Sequence, residues 1–303
     1  YNALTDLTSG DNNVAVGHGA GDAITTSSSN IAIGYNALST ETTGEDTIAI
    51  GNHVLYSQIK GDANSTQNTA IGSGAGQFVT TATGTTYVGF RAGKGITGAK
   101  TTGIDNTAVG NQAGLLLQGA AHENTFLGSY AGDVLTTGSD NTCIGKSADT
   151  DDATAINQTV IGHSTTGVAD NSVTLGNADV TRVNMSSDGA AVMYADGTIN
   201  TSDRRFKENI EDTDLGLSFI NSLRPVKYNF IEDKHDGKTK YGIIAQEVIE
   251  VLNETGNMDF AGIKDDNKEK LGADYTQFIA PLMKAVQELS AEVKQLKQQL
   301  EDK

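Results

Sequence analysis

An aliphatic residue followed by glycine recurs at a nearly constant interval through the first 176 residues of the chain. The segment "NVAVGHGAG" at 13–21 is followed by relatives such as "NIAIGYNAL", "NTAVGNQAG" and "NTCIGKSAD", at steps of 17, 17, 21, 17, 21, 18, 17, 17 and 14 residues. The anchoring glycines are Gly17, Gly34, Gly51, Gly72, Gly89, Gly110, Gly128, Gly145, Gly162 and Gly176. Because a near-constant period indicates stacked structural repeats, the pattern predicts a β-solenoid over 1–176, with insertions in loops on one side.

The residue before each anchoring glycine is always aliphatic, and the one before that is usually Ala. Successive strand residues face opposite sides, so both sides of these short strands are largely apolar. One side can fill the interior of the roll, and the other needs a partner. We therefore expect a homotrimer that buries the Ala face around a common axis. Cys143 stands at an Ala position, and we interpret it as a small core residue.

The linkers between repeats, such as "TTGEDT", "TTGIDN" and "TTGSDN", have the composition of turns. We expect their Gly to adopt positive φ and their Asp or Asn to bond local backbone. The period fails over 177–201, where "SSDG" and "YADG" are hairpin-type turn signals. These residues are predicted to form a β-rich neck.

A different regularity begins at Ser202. The segment "DLGLSFINSLRPVKYNF" predicts a short helix and then a strand, with Pro225 preventing continuation of the helix. The segment "KYGIIAQEVIEVL" predicts a strand leading into a helix. We therefore expect an α+β domain over 202–303.

Residues 276–303 predict a closing coiled coil, because apolar residues alternate there in steps of three and four. The predicted trimerisation seam consists of Ile279, Leu282, Val286, Leu289, Val293, Leu296 and Leu300. The β-branched residues at the first seam position, with Leu at the second, favour two strands by themselves. We favour three, because attached domains override the oligomeric preference of a short coil. Pro281 should kink this helix or mark its first turn.

Composition excludes several classes of protein. The chain has 303 residues and a net charge of −17, which argues against a nucleic-acid partner. No apolar run approaches the roughly 20 residues of a membrane span, so membrane insertion is not expected. One Cys cannot form an internal disulfide. The opening "YNAL" recurs at 35–38 inside a repeat, so we expect the chain to be a piece of a longer protein.

Ser202 and Lys207 are the pair whose spacing and setting suggest catalysis. A serine hydroxyl needs a base to act as a nucleophile, and a desolvated lysine amine can serve as that base. A spacing of five residues requires an extended or turning segment rather than one helical face. Serine and lysine occur five residues apart too often for the pair to be evidence by itself.

Two resemblances add to these residues. The "NTAIGxxAG" repeats resemble the heads of trimeric autotransporter adhesins, which are left-handed parallel β-rolls wound as trimers. The ordered blocks "SDRRFKENI", "LRPVKYNF", "YGIIAQEV" and "DYTQFIAPLMKAVQELSAEVKQL" resemble the C-terminal intramolecular chaperone of phage tail spikes and fibres of the endosialidase type. This resemblance implies that residues 202–303 trimerise, direct folding of the preceding β trunk and then cut themselves off.

The resemblance also implies roles for individual residues. Ser202 matches the serine at the cut and Lys207 its partner. Attack by Ser202 on the carbonyl of Thr201 would form a five-membered ring, whereas the family is usually described as cut between serine and the following aspartate, here Asp203. We place the cut next to Ser202 and leave the bond open.

The function predicted from these features is that of a trimeric tail fibre or spike segment for host or surface attachment. Its partners would be further copies of the chain, upstream fibre or baseplate components and a cell-surface receptor, with a glycan as one candidate. The expected location is a virion tail or an extracellular injection-machine appendage. Candidate receptor contacts follow the anchoring glycines: Tyr35, Phe90, Arg91 and Tyr130.

Three other functions are considered. A surface adhesin would use the C-terminal region as a purely structural trimeriser. A polysaccharide-degrading spike would need paired carboxylates, but Asp46, Asp105, Glu123 and Asp140 lie at turn positions where a solvated or capping role is favoured. A transcription factor sharing the chaperone domain is disfavoured by the acidic array. The histidines, including His18 and His163, are interpreted as surface residues, and no metal or cofactor is expected.

Overall fold

The computed structural model describes residues 2–60, 65–183, 185, 202, 204–229, 239–265 and 271–302. The chain divides into two compact units, Tyr1–Val183 and Asn184–Lys303. Most of the predicted neck lies outside the described residues, since 184 and 186–201 are not among them.

The first unit is a parallel β-solenoid of about nine turns, as the glycine period predicts. Its strands are β1 (Val14–Val16), β2 (Ile31–Ile33), β3 (Ile48–Ile50), β4 (Thr69–Ile71), β5 (Thr86–Val88), β6 (Thr107–Val109), β7 (Thr125–Leu127), β8 (Thr142–Ile144), β9 (Gln158–Ile161) and β10 (Ser172–Leu175). They form one sheet in chain order, and each strand pairs with the equivalent residues of the next, as Ile33 does with Ile50.

The anchoring glycines are required by how closely successive coils approach. Gly34 has a φ of 130°, and a Cβ placed on it would lie 2.2 Å from the carbonyl oxygen of Gly51 in the next coil. Both the backbone conformation and the lack of space exclude a side chain. The recurring glycine therefore sets the distance between coils.

The Ala face lies inside a single chain, so its predicted burial around a trimer axis is wrong. The middle residue of the strand is fully or almost fully buried in β2 to β8, as Ala32, Ala49 and Cys143 show. The aliphatic residue before each glycine points outward, and Val16 remains 58% exposed. With three residues in a strand, the middle one faces one side and its neighbours face the other. The narrow interior accepts the small residue.

Cys143 lies in this core as predicted, and burial raises the pKa of its thiol to about 12. Two coils place large aromatic residues, Tyr87 and Phe126, at the same position, both fully buried. Space for each comes from a glycine in the following turn, because a Cβ on Gly93 or Gly132 would lie 2.3 or 2.2 Å from the ring. Core volume is therefore balanced within each coil.

A ladder of buried asparagines runs beside the sheet: Asn30, Asn68, Asn106, Asn124 and Asn141. Each side-chain oxygen accepts a backbone N–H of the next coil, as Asn124 does from Asn141 at 3.1 Å. Each amide nitrogen donates to a carbonyl of that coil, as Asn141 does to Ala155 at 2.7 Å. These buried bonds join coils, so the asparagines have a different role from the local turn bonding expected of them.

The ladder continues across the insertion after β3 by means of a buried carboxylate. Glu41 accepts the backbone N–H of Gly44 at 2.8 Å and the amide of Gln58 at 3.0 Å. Gln58 in turn accepts from the amide of Asn68 at 3.0 Å. Glu41 is fully buried, and its hydrogen bonds compensate for the loss of water.

The residue that adopts positive φ in the linkers is the acid rather than the glycine. Asp46, Asp105 and Asp140 have φ of 58°, 57° and 61°. Gly103 is needed for space instead, because a Cβ on it would lie 1.9 Å from the carbonyl oxygen of Ala121. The expected conformational role of the linker glycines is therefore wrong. Short polar residues such as Asp tolerate the left-handed region, so the acid can adopt positive φ in place of the glycine.

Asp149 is half-buried and accepts the Val134 N–H at 3.3 Å. Burial, with a smaller contribution from Asp133, raises the pKa of Asp149 to about 6, against the lowering effect of Val134. The unfolded value is about 3.9. The folded protein therefore binds this proton more tightly, and the free energy of unfolding falls as the pH rises from about 4 to about 6 and stays lower above. Asp149→Asn should stabilise the protein at pH 7.5 by about 1 kcal/mol after allowance for partial exposure.

Thermal melting at pH 7.5 and at pH 4 checks this prediction, since the gain should nearly vanish at pH 4. Asp6→Asn removes a carboxylate from an exposed position and serves as the control. Equal shifts of the two variants at pH 7.5 would contradict the burial argument.

The second unit is α+β. It contains α1 (Leu217–Ser222), β11 (Val226–Tyr228), β12 (Lys240–Gly242), α2 (Ala245–Thr255), β13 (Ile263–Asp265), β14 (Leu271–Ala273) and α3 (Ile279–Glu301). Strands β11 and β12 pair antiparallel, and so do β13 and β14. The helix and strand predicted around Pro225 are confirmed as α1 and β11, and the predicted strand and helix that follow are β12 and α2.

A small aromatic core holds this unit together. Phe219 of α1, Phe260 and Phe278 form a cluster with ring centroids 5.1 to 6.4 Å apart. Leu252 of α2 is buried with them. Pro281 is buried and is the third residue of α3. It therefore lies in the first turn of the helix, which is one of the two roles predicted for it. The predicted closing helix is confirmed.

Candidate functional site

A short turn brings Ser202 and Lys207 together. Arg204–Phe206 form one turn of 3₁₀ helix, and the Lys207 backbone N–H donates to the Arg204 carbonyl at 3.1 Å. The Lys207 Nζ then donates to the Ser202 Oγ at 2.9 Å. The cleavage neighbours Thr201 and Asp203 lie outside the described residues.

This hydrogen bond has the geometry of a nucleophile and its base. Distances of about 2.6–3.2 Å between the heavy atoms allow a proton to move from hydroxyl to amine. Both side chains are exposed to solvent in the single chain. A lysine acts as a base in its neutral form, and water favours the charged form. The pair therefore has the distance for catalysis but lacks burial.

Contacts that the sequence did not predict join distant segments of the second unit. Arg224, which precedes β11, donates from Nε to the Glu247 carboxylate of α2 at 3.0 Å. Its Nη2 donates to the other oxygen of the same carboxylate. The hydrogen bond to Arg224 lowers the pKa of Glu247. Tyr275 accepts the Ile243 N–H at 3.1 Å. These contacts couple segments that are separate in sequence.

Helix α3 is attached to the unit by its first half. Glu288 accepts the backbone N–H of Leu217, at the start of α1, at 2.7 Å, and Ala285 is buried. The predicted seam residues are all exposed, from 42% at Val293 to 72% at Leu300. The helix therefore presents an apolar face that the single chain does not cover. No helix among the described residues is long and apolar enough to cross a membrane.

The solenoid also exposes an apolar surface, the outward ladder formed by the residues before the anchoring glycines. It consists of Val16, Ile33, Ile50, Ile71, Val88, Val109, Leu127, Ile144, Ile161 and Leu175. None of these side chains is buried, and Leu127 is 49% exposed. Contiguous apolar surface of this kind marks interaction sites.

The candidate receptor residues lie in the turns after the strands. Tyr35 packs between His18 and His53, with centroid distances of 5.5 and 5.1 Å. The Arg91 guanidinium lies 4.8 Å from the centre of the Phe90 ring. All four candidates, Tyr35, Phe90, Arg91 and Tyr130, are exposed. The Tyr130 hydroxyl accepts from the side-chain amide of Gln112 at 2.9 Å.

The acids considered for a polysaccharide-degrading site recur on one edge. Asp46, Asp105, Glu123 and Asp140 all have positive φ and are exposed. The Ser139 hydroxyl, with Glu123 and the charge of His122, holds the pKa of Asp140 below its usual range. A general acid needs a raised pKa instead, so Asp140 is unsuited to that role.

Comparison with known proteins gives a match to part of the second unit. Residues 202–257 match the family model described as chaperone of endosialidase. The match begins at Ser202 and runs through α1, β11, β12 and α2. No curated protein and no solved structure matches the chain. The resemblance read from the sequence blocks is thereby confirmed over the matched residues.

Proposed function

With a chaperone domain of the endosialidase type at 202–257 as the premise, we propose that this chain is a segment of a trimeric tail fibre or spike. The solenoid attaches to a host or another surface, and residues 202–303 direct its assembly and are then released by self-cleavage next to Ser202. The observation that carries the proposal is the 2.9 Å hydrogen bond between Lys207 and Ser202, at the first residue of the matched segment.

Two exposed apolar surfaces support a trimer. The outward ladder of the solenoid and the seam of α3 each leave aliphatic side chains in water. Burial contributes about 25 cal/mol per Å² of apolar surface, so both surfaces favour association. Because each is continuous along one chain and repeats the same residue types, the partner that matches it best is another copy of the chain. We place three copies around the outward ladder, not around the Ala face.

The solenoid gives a physical reason for a chaperone. Its repeats share one strand pattern, an aliphatic residue followed by glycine, so two chains displaced by one coil would still bury similar apolar surface. Association in the wrong register is therefore a kinetic trap, and topologies rich in long-range contacts are prone to such traps. A C-terminal domain that trimerises first raises the local concentration of the three chains and aligns them.

Self-cleavage follows from the pair once water is excluded. The Ser202 Oγ attacks the carbonyl carbon of an adjacent peptide bond while its proton passes to the neutral Lys207 amine. The leaving amine takes up that proton, and an ester to Oγ remains. Water then hydrolyses the ester and leaves a new carboxylate and a free hydroxyl. Since both side chains are exposed in the single chain, we infer that partner chains bury them and that cleavage waits for assembly.

Attachment is tested with the mature protein. We expect the purified protein to be a trimer that retains particular oligosaccharides or binds host cells without releasing sugar. Tyr35→Ala should weaken binding by about 2 kcal/mol if Tyr35 anchors the receptor. Val168→Ala, which also truncates an exposed side chain of the solenoid, should not.

Light scattering on each variant separates lost binding from lost assembly. Sugar release would favour a polysaccharide-degrading spike. A trimer that binds but stays at full length would favour a surface adhesin with a structural trimeriser. A monomer that binds nothing would contradict the proposed function. The virion tail or injection machine that carries the segment, and its upstream fibre or baseplate partners, are part of the same proposal.

A further inference from the structure

Three potential metal ligands converge on one edge of the solenoid. His122 and Glu123 precede β7, and Asp140 takes the position of Glu123 in the next coil, before β8. One ligand atom from each side chain lies within 4.8 Å of those of the other two. They come from two coils whose strands pair in register, so neighbouring turns supply ligands to the same point.

The backbone holds these residues in place before any ion binds. Glu123 and Asp140 have nearly equal φ, 56° and 61°. The Asp140 N–H donates to the His122 carbonyl at 3.2 Å. The buried amide of Asn124 donates to the same carbonyl at 2.9 Å and to that of Gly138 at 3.0 Å. Since the backbone is ordered by the ladder, binding requires only small rotations of side chains.

The side chains differ in how well they suit different cations. His122 is half-buried, whereas Glu123 and Asp140 are exposed. Bonds of about 2.0–2.2 Å to zinc require nitrogen and oxygen ligands about 3–4 Å apart, which the observed spacing allows after slight closure. An imidazole with two carboxylates suits zinc and the other divalent first-row transition metals, whereas calcium takes six to eight oxygen ligands. The remaining coordination positions would be filled by water.

The geometry points to a divalent transition-metal site formed by His122, Glu123 and Asp140, with Zn²⁺ as the preferred probe. The ion cross-links two successive coils by bonding side chains of both. It lies in the solenoid and takes no part in cleavage, so it is independent of the Ser202 and Lys207 pair. An ion that binds only the folded solenoid stabilises it in proportion to RT ln(1 + [ion]/Kd), about 2.7 kcal/mol at a concentration of 100 Kd.

The test titrates Zn²⁺ into the tag-free protein as purified, after dialysis against EDTA. Calorimetry is expected to give one bound ion per chain. The melting temperature should rise when Zn²⁺ is added but not when Ca²⁺ is added. His122→Gln and Asp140→Asn should each weaken binding by about 10-fold or more. His163→Gln removes a solenoid histidine outside the group and is the matched control.

Melting in EDTA shows whether each variant is folded, and variants at these solvent-accessible positions should match the wild type there. Equal Zn²⁺ affinity in wild type and His122→Gln would overturn the site. Equal losses in His122→Gln and His163→Gln, or a Ca²⁺ response as large as that to Zn²⁺, would overturn it as well.

Discussion

Replacing Ser202 by Ala is expected to abolish release of a C-terminal fragment of about a hundred residues and to leave the chain at full length. Without Oγ no ester can form, and water alone does not attack a peptide bond on the time scale of expression. Denaturing electrophoresis and intact mass reveal the fragment. The mass of the wild-type fragment also identifies the bond that is cut, because it shows whether Ser202 stays with the released domain.

Variants of Lys207 distinguish a base from a structural partner. Lys207→Arg keeps a positive charge and a donor for Ser202, but a guanidinium does not lose its proton in proteins. We expect Lys207→Arg and Lys207→Ala to prevent cleavage equally while the trimer still forms. Lys227→Ala removes an exposed lysine of the same unit and is the control. Normal cleavage in Ser202→Ala, or a wild type that never shortens, would refute the proposed dyad.

Placing Asp at Leu289 and Leu296 is the second change expected to have a large effect. Both residues lie on the apolar seam of α3 and are 49% and 59% exposed in the single chain. In a trimer each leucine contributes about 1.5–3 kcal/mol per chain by burial, and a buried carboxylate would cost several kcal/mol instead. We expect the double variant to be uncleaved and monomeric or aggregated. Its solenoid should melt at a lower temperature.

A matched control places the same charges on the other side of the helix. Ala291→Asp with Gln298→Asp adds two acids opposite the seam by heptad position. This variant should remain trimeric and should cleave. Light scattering gives the mass of each species, to be compared with three chains of 31.6 kDa or with the mature product. A seam variant that still assembles would show that α3 is dispensable, and one that cleaves as a monomer would show that cleavage does not wait for assembly.

The repeat was readable because it is local. The aliphatic residue and glycine recur at one phase, and the glycine is forced by the 2.2 Å approach of the next coil. The prediction of which strand face points into the solenoid was wrong, because the inward face depends on the width of the interior rather than on the order of residues. Ala49 and Ile50 are both apolar, and only the closed coil shows that Ala49 fits inside.

The asparagine ladder was missed for a similar reason. Asn124 and Asn141 occur in turn-like linkers, where local bonding is the usual role. Their partners lie 14 to 17 residues away, and no local pattern identifies them. The same separation hid the group of His122, Glu123 and Asp140. A histidine beside an acid at a recurring linker position was the available signal, and it required knowing the register of the coils.

The sequence by itself determined the period, the strand positions of the solenoid and the C-terminal elements other than β13 and β14, because each depends on residues close along the chain. It also proposed Ser202 and Lys207 as a chemical pair. Only the tertiary structure decided which face is core, which residues are exposed and which distant residues meet. It showed that a single 3₁₀ turn brings the Lys207 Nζ to 2.9 Å from the Ser202 Oγ. Burial and contact arise when coils stack and helices pack, and these depend on volumes and distances that a linear pattern does not contain.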